Sequence, residues 1–77
     1  MRVSVILHSY LREHLPPEAR GMATLELPEG SRVKDVVARL QLPEHAIFAL
    51  NDRLERDREL ALQDGDALRF LRAGAGG

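Results

Sequence analysis

The sequence predicts an α+β fold in which one main helix packs on one face of a mixed sheet of about four to five strands. Three observations predict this fold: short segments with a two-residue apolar repeat, one segment with a helical repeat, and turn motifs between the segments. A helix with a single apolar stripe has to cover a sheet, because the stripe would otherwise face water. With 77 residues the chain can hold one domain.

Two strands are predicted in the first third of the chain. Val3, Val5 and Leu7 alternate with other residues, which is typical of a strand with one buried face. Residues 23–27 alternate in the same way. Residues 11–22, between the two strands, contain two prolines and a glycine, so they are predicted to be mostly loop.

The helix is predicted to follow Ser31, whose hydroxyl can act as an N-cap by accepting a hydrogen bond from a free N–H of the first turn. Apolar residues then recur at helical spacing, at Val33, Val36, Val37 and Leu40. This stripe predicts a helix of about ten residues. Pro43 is expected to end it.

The second half of the chain contains two turn signals and two further strands. Residues 46–50 form a short apolar run that ends at Asn51 and Asp52, which tolerate the positive φ of a tight turn. The Gln-Asp-Gly-Asp motif at 63–66 predicts another turn, and residues 67–71 predict the last strand. The resulting order is strand, strand, helix, strand, a short or irregular segment, and strand. That order is typical of a β-grasp, or ubiquitin-like, domain.

Composition and charge exclude several classes of function. The formal net charge is −1 and both signs are mixed along the chain, so nucleic-acid binding is not expected. No apolar run approaches the roughly 20 residues that cross a bilayer. The N-terminal segment lacks the features of a signal peptide, so we expect a cytoplasmic protein without a membrane partner. The absence of cysteine excludes disulfides, thiolate catalysis and thiolate metal ligands.

No group of side chains predicts a catalytic or metal site, and we expect the protein not to be an enzyme. His8, His14 and His45 lack the spacing of a metal site and are interpreted as ordinary surface or half-buried residues. Asp64 and Asp66 could form an acid–base pair, but the glycine between them favours a role in a turn.

The charged and terminal segments are the remaining candidates for a functional surface. Residues 52–59 have charges of both signs and predict a solvated hairpin and loop, or a surface for a partner. Arg69 and Arg72 could pair with acidic groups of a partner or serve only as the polar face of a strand. The last five residues lack large side chains: Ala73, Gly74, Ala75, Gly76 and Gly77. They predict a flexible tail, residues 73–77, after a folded domain of residues 1–72.

Several motifs resemble the ThiS/MoaD family of ubiquitin-like sulfur carriers. They are Leu50-Asn51-Asp52, the run Leu-Gln-Asp-Gly-Asp-Ala-Leu-Arg-Phe at 62–70 and the terminal Gly76-Gly77. Residues 11–13 and 31–37 also resemble the small subunit of molybdopterin synthase, and the resemblance covers nearly the whole chain. The sequence departs from the family pattern in two places. Asp52 stands where members often have glycine, and residues 71–75 lack the proline that molybdopterin-type members often have.

The resemblance implies that the reactive group is the C-terminal carboxylate of Gly77 and that the protein has no catalytic residue of its own. An E1-like adenylyltransferase would use ATP to adenylate this carboxylate, and persulfide sulfur would then convert it to a thiocarboxylate. The preceding residues would thread into the partner: Ala73, Gly74, Ala75 and Gly76. Arg69 and Arg72 would contribute to docking. The carrier would bind no cofactor and would give its sulfur to a synthase subunit, either the large subunit of molybdopterin synthase or thiazole synthase.

Several functions stay open at this point. Molybdopterin (molybdenum cofactor) biosynthesis is favoured by the chain length and by the motif at residues 11–13. Thiamin thiazole synthesis, tRNA thiolation and cysteine synthesis need the same terminus but other partner enzymes. The protein could instead be a modifier that is conjugated to lysines through Gly77, or a plain β-grasp interaction module with an inert end.

Overall fold

Five strands and one α-helix form within residues 1–72, the part of the chain that this computed structural model describes. In chain order the elements are β1 (Arg2–Leu7), β2 (Met22–Glu26), α1 (Val33–Arg39), β3 (Ile47–Leu50), β4 (Arg53–Glu55) and β5 (Ala67–Leu71). They follow the predicted order, and β4 is the short segment that was expected before the last strand.

The five strands form one mixed sheet in the order β2-β1-β5-β3-β4. β1 and β5 are parallel, whereas the other neighbouring pairs are antiparallel. The last strand therefore lies in the centre of the sheet, between the first and the third strands. One helix on one face of such a sheet is the β-grasp arrangement, which confirms the predicted fold class.

The core lies between α1 and one face of the sheet. The most deeply buried side chains include Val3, Val5, Leu7, Val33, Val36, Leu68 and Phe70, all at most 2% exposed. The rings of Phe48 and Phe70 lie at the middle of the sheet, with their centroids 6.1 Å apart. Burying one large apolar side chain contributes about 1.5–3 kcal/mol relative to leaving it in water. The predicted alternation of the first strand and the valine stripe of the helix are confirmed.

Two short 3₁₀ helices, Ser9–His14 and Pro17–Ala19, occupy most of the connection between β1 and β2. The sequence predicted mostly loop here, because prolines and glycine break longer helices. A single 3₁₀ turn tolerates them, since Pro17 stands at its first position, where no backbone N–H is needed. Leu11 is fully buried and holds the first of these helices against the core.

The N-terminus of α1 differs from the prediction. Ser31 is not the cap, because its hydroxyl donates to the carbonyl oxygen of Pro28 at 2.8 Å and closes the turn before the helix. The N-cap is Arg32, whose backbone N–H donates to the carboxylate of Asp35 at 2.7 Å. The first-turn N–H groups that the serine hydroxyl was expected to serve are paired elsewhere, because those of Val33 and Lys34 donate to the backbone carbonyl oxygens of Leu60 and Arg58.

The C-terminus of α1 also comes earlier than predicted. The helix has seven residues and ends at Arg39, rather than extending to about ten. Gln41 adopts a φ of 55°, which is incompatible with a continuing right-handed helix, and Leu40 is only partly buried. Among residues 1–72 no helix has the length and apolar character that spanning a bilayer requires.

Asn51 and Asp52 form the turn between β3 and β4, with φ values of 51° and 68°. Two consecutive positive values fit the two-residue hairpin turn that matches the twist of the flanking strands. The sequence predicted this turn, but it predicted β4 only as a short or irregular segment. Three residues are too few to show a repeat, and β4 is fixed instead by its pairing with β3.

Candidate functional site

The chain leaves the sheet at the C-terminal end of β5. Phe70 lies opposite Leu7 of β1, and Leu71 lies opposite Ile47 of β3. The backbone N–H of His8 donates to the carbonyl oxygen of Phe70 at 3.1 Å, which extends the pairing just beyond β1. Because β5 is central, the chain emerges in the middle of one end of the sheet, with protein on both sides.

Arg72 is the last described residue, and it is exposed directly after β5. The five residues predicted to form the tail and the reactive terminus lie outside the described part: Ala73, Gly74, Ala75, Gly76 and Gly77. Their roles, and the boundary between a domain at 1–72 and a tail at 73–77, therefore stay predictions.

A row of side chains crosses the face of the sheet opposite α1. Strand pairing places Met22, Ile6, Arg69, Ala49 and Leu54 in one line that crosses all five strands. We call these five residues the open-face row. Four of them are apolar, and the two at its ends, Met22 and Leu54, are 59% and 70% exposed.

A second apolar pair, Ile47 and Leu71, lies beside the open-face row on the side where the chain leaves the sheet. Ile47 is 42% exposed, and Leu71 is half-buried. Single exposed apolar side chains are common on protein surfaces and need no explanation. Within the open-face row Ile6 is half-buried and Ala49 is buried, so the exposed large apolar side chains on this face are Met22, Ile47 and Leu54. Several such side chains on one face are typical of an interaction surface.

Arg69 is the charged member of the open-face row and stands at its centre. Its side chain is 45% exposed, and its ion-pair partner Asp52 lies 4.0 Å away and is 89% exposed. An ion pair this long and this exposed contributes little, so the guanidinium group can bind another carboxylate. The structure therefore places Arg69 inside an apolar face and Arg72 at the chain exit.

Two of the three histidines contact groups that are distant in the chain. The Tyr10 hydroxyl and His45 Nε2 are 2.6 Å apart, and His14 Nδ1 lies 3.2 Å from the carbonyl oxygen of Leu40. These pairs join the first 3₁₀ helix to the segment before β3 and to the end of α1. His8 Nε2 is buried and has no hydrogen-bond partner within residues 1–72. In that range no three His, Asp, Glu or Cys residues come close enough together to hold a metal ion.

The carboxylates of Asp64 and Asp66 bind backbone and turn groups. Asp64 accepts a hydrogen bond from the N–H of Arg2 at 2.7 Å. Asp66 accepts one from the N–H of Gln63 at 2.8 Å and one from the side chain of Asn51 at 3.0 Å. This geometry agrees with the turn interpretation of the Asp-Gly-Asp motif.

Glu59, at the end of the charged segment 52–59, has a structural role. Its two carboxylate oxygens accept hydrogen bonds from Arg32 and Lys34, both at 3.0 Å. The hydrogen bond from Lys34, reinforced by the charges of both cations, holds the pKa of Glu59 below its usual value. These contacts tie the segment to the start of α1.

Arg58 has a role that the sequence did not reveal. Its guanidinium group donates to the carbonyl oxygen of Glu44 and, at 3.1 Å, to that of Ala46. These contacts hold the segment that leads into β3. No local signal could have predicted them, because the two acceptors lie 14 and 12 residues earlier in the chain.

The fold and the site together define a class of protein: a ubiquitin-like β-grasp domain whose central strand ends beside an exposed apolar face. The model of the ThiS family matches residues 11–77, which is most of the chain, so the chain belongs to the ThiS family. No curated protein matches the sequence significantly. The family resemblance inferred from the motifs is confirmed.

Solved structures of related proteins have the same fold. A chain in a protein–protein complex of subunits 1 and 2 of molybdopterin-converting factor from Helicobacter pylori is 25% identical, with all of both chains covered and a TM-score of 0.69. A putative molybdopterin converting factor subunit 1 from Pyrococcus furiosus is 23% identical, with 91% of this chain and 94% of that chain covered and a TM-score of 0.72. The thiamine biosynthesis protein ThiS from Geobacter metallireducens is 21% identical, with both chains fully covered and a TM-score of 0.64. Because these proteins belong to different pathways, the likeness gives the fold and not the pathway.

Proposed function

We propose that this protein is a sulfur carrier whose reactive group is the C-terminal carboxylate of Gly77, and that it is a reactant in sulfur transfer rather than a catalyst. The main support is that the ThiS family match extends through Gly76 and Gly77. The sequence has no cysteine, so transferable sulfur cannot be held on a side-chain thiol of this chain. The proposal includes a folded domain at residues 1–72 and a tail at residues 73–77.

The proposed chemistry starts from an unreactive anion. A terminal carboxyl group ordinarily has a pKa of about 3.5, so at neutral pH it is charged and a poor electrophile. A carboxylate oxygen attacks the α-phosphorus of ATP on the activating partner, and pyrophosphate leaves. A persulfide sulfur then attacks the acyl carbon, and AMP leaves. A second thiol cleaves the sulfur–sulfur bond, which releases the thiocarboxylate and leaves a disulfide on the donor.

The proposal requires two partners, an E1-like adenylyltransferase and a sulfur-accepting synthase subunit. The matching chain from Helicobacter pylori comes from a complex of subunits 1 and 2 of molybdopterin-converting factor, which supports the second partner. For the acceptor we favour the large subunit of molybdopterin synthase over thiazole synthase, and thus molybdenum cofactor biosynthesis. ATP is used by the activating enzyme, so the carrier needs no cofactor. We propose that it acts in the cytoplasm.

The open-face row is the proposed docking surface for the activating partner. Ordering a glycine-rich tail costs conformational entropy, so most of the affinity has to come from the folded body. The apolar members of the row supply buried area, and Arg69 at its centre favours a partner carboxylate that is surrounded by apolar side chains. Arg72, exposed at the chain exit, can pair with a second acidic group.

The proposed function is tested by the intact mass of the protein after incubation with an activating enzyme, ATP and a persulfide donor. We expect a gain equal to the replacement of one oxygen by sulfur. The variant without Gly77 serves as the control, because it keeps the folded body and removes the proposed site. The gain should be absent in this variant and in a reaction without ATP.

The same assay separates the carrier from the competing functions. An unchanged mass in the presence of an enzyme that activates another carrier would contradict the proposal and favour an interaction module. Products that retain the whole protein on a lysine of a second protein, after boiling and reduction, would favour a protein modifier. A thiocarboxylate whose sulfur disappears on addition of one synthase, but not of another, would identify the pathway.

A further inference from the structure

An open pocket of about 400 Å³ lies in the connection between β1 and β2. Its apolar walls are formed by Leu15, Pro16 and Pro17. Arg12 and Arg20 also belong to its lining, and Glu13 is the one acidic residue among the lining residues. The pocket therefore combines two cations with a compact apolar surface.

Gly21 positions one of the two arginines. It has a φ of +78°, and a Cβ atom added to it would lie 3.0 Å from Cγ and 3.3 Å from Nε of Arg12. The side chain of Arg12 thus lies directly over this glycine, in space that any larger residue would fill. The same added atom would lie 2.6 Å from the carbonyl oxygen of Leu7, so the glycine is also required by the backbone.

The two guanidinium groups are available for an anion. Within residues 1–72, neither the Arg12 nor the Arg20 side chain donates a hydrogen bond or lies within ion-pair distance of a carboxylate, whereas Arg2 and Arg32 both pair with glutamates. Glu13 shares the pocket with them but forms no ion pair in that range. Two arginines that line one pocket can bind a carboxylate through several charge-assisted hydrogen bonds.

The pocket lies near the point where the chain leaves the sheet. The carbonyl oxygen of Gly21 accepts a hydrogen bond from the N–H of Leu7, and Leu7 is paired with Phe70 of β5. Two strand spacings of about 4.8 Å put the floor of the pocket about 10 Å from Phe70. Residues 73–77, if extended, span up to about 17 Å. The C-terminus is thus within reach of the pocket.

We infer that the Arg12–Arg20 pocket is a carboxylate-binding site whose ligand is the C-terminal carboxylate of Gly77 of the same chain. The small side chains of residues 73–77 are compatible with an open pocket of about 400 Å³ lined by Pro16 and Pro17. A thiocarboxylate is also an anion and would bind in the same way. The free carrier would then hold its reactive end on its own surface, and an activating partner would have to displace it.

The inference shares with the proposed function the assumption that Gly77 ends the chain, but it requires no sulfur chemistry. It is tested on the full-length protein alone, by ¹⁵N heteronuclear Overhauser measurements on the amides of Gly76 and Gly77. A bound end gives clearly positive values, whereas a free end gives values near zero or negative. We expect positive values in the unmodified protein and their loss in the Arg12→Ala, Arg20→Ala double variant.

Three controls make the result specific. Arg53→Ala combined with Arg56→Ala removes the same charge from exposed arginines near β4 and should leave the tail amides unchanged. Glu13→Gln removes the competing carboxylate and should make the values more positive. A C-terminal carboxamide, prepared by chemical ligation, removes only the terminal charge and should free the end. The amide signals of β5 report whether each variant is folded.

Two outcomes would overturn the inference. Tail amides that are the same in the Arg12→Ala, Arg20→Ala variant and in the unmodified protein would show that the pocket does not bind the terminus. A carboxamide that stays bound would show that the carboxylate is not the recognised group. A loss of sulfur transfer with normal tail amides, in contrast, would count against the proposed function and not against this site.

Discussion

The side chains of Asn51 and Asp66 are hydrogen-bonded to each other, with Asn51 Nδ2 donating to Asp66 Oδ1 at 3.0 Å. Asn51 Oδ1 also accepts from the backbone N–H of Ala67 at 2.9 Å, and the second carboxylate oxygen of Asp66 accepts from Gln63. The hairpin turn after β3 and the turn before β5 are thereby joined at the start of the central strand. The Asn-Asp and Asp-Gly-Asp motifs in the sequence therefore hold these two turns together.

Replacing Asn51 tests the strength of this link. Asn51→Ala removes both hydrogen bonds and puts alanine at a φ of 51°, so we expect a loss of about 2–3 kcal/mol in the free energy of unfolding. Asn51→Gly removes the same bonds without the backbone strain and should lose about 1–2 kcal/mol. Urea denaturation of both variants separates the two contributions. A glycine variant as stable as the unmodified protein would show that the link contributes nothing.

A substitution at Gly21 tests the close approach between this residue and the backbone of Leu7. Gly21→Ala adds an atom 2.6 Å from the carbonyl oxygen of Leu7, which is backbone and cannot move away easily. Gly30→Ala is the matched control, because Gly30 has a φ of +86° but no atom within 4 Å of the added Cβ. Both substitutions put alanine in a left-handed backbone conformation, which lowers the free energy of unfolding by about 1–2 kcal/mol. Gly21→Ala should lower it by at least about 1 kcal/mol more because of the steric overlap. Thermal or urea unfolding measures the difference, and equal losses would contradict the steric argument.

The lowered pKa of Glu59 predicts that the free energy of unfolding depends on pH. Its pKa is lower in the folded state, so its contribution is present above the usual carboxyl pKa and is lost as the pH falls through the lowered value. Glu59→Gln should therefore lower the free energy of unfolding at neutral pH, and the deficit should shrink as the solution becomes acidic. High salt should also shrink it, because the contacts with Arg32 and Lys34 are exposed.

The control for this prediction is Glu29→Gln, since Glu29 is exposed and has no ion-pair partner within residues 1–72. Urea denaturation across the acidic range compares both variants with the unmodified protein. A deficit of Glu59→Gln that stays constant from neutral to acidic pH would rule out the proposed ionic origin.

Local patterns were sufficient to predict most of the secondary structure. The alternation of Val3, Val5 and Leu7 and the spacing of Val33, Val36 and Val37 each reflect a face buried against the same core. Local sequence patterns failed where one side chain has two possible hydrogen-bond partners. The hydroxyl of Ser31 could accept from the helix or donate to the preceding turn, and only the surrounding backbone decides between them.

The candidate site could be predicted only in part, because its geometry depends on strand register. The sequence identified Arg69 as a residue near the tail, but it could not place Arg69 between Ile6 and Ala49, which lie 63 and 20 residues away in the chain. Nor could it show that Met22 and Leu54 extend the same line to both edges of the sheet. Pairing between distant segments is decided by the whole fold and leaves no local signal.

The open-face row predicts which charge reversal weakens binding to an activating partner. Arg69→Glu reverses the charge at the centre of the row and should raise the dissociation constant at least about tenfold. This factor corresponds to a loss of about 1.4 kcal/mol in binding free energy. Arg53→Glu makes the same change in net charge, but Arg53 pairs with Leu50, one residue away from the Leu54–Ala49 pair, so its side chain points to the opposite face of the sheet. It should change the constant by less than about twofold at physiological salt. Calorimetric titration measures both, and the amide spectrum of each variant reports its fold. Equal weakening would mean that only long-range charge matters, and no weakening by Arg69→Glu would mean that the partner binds another face.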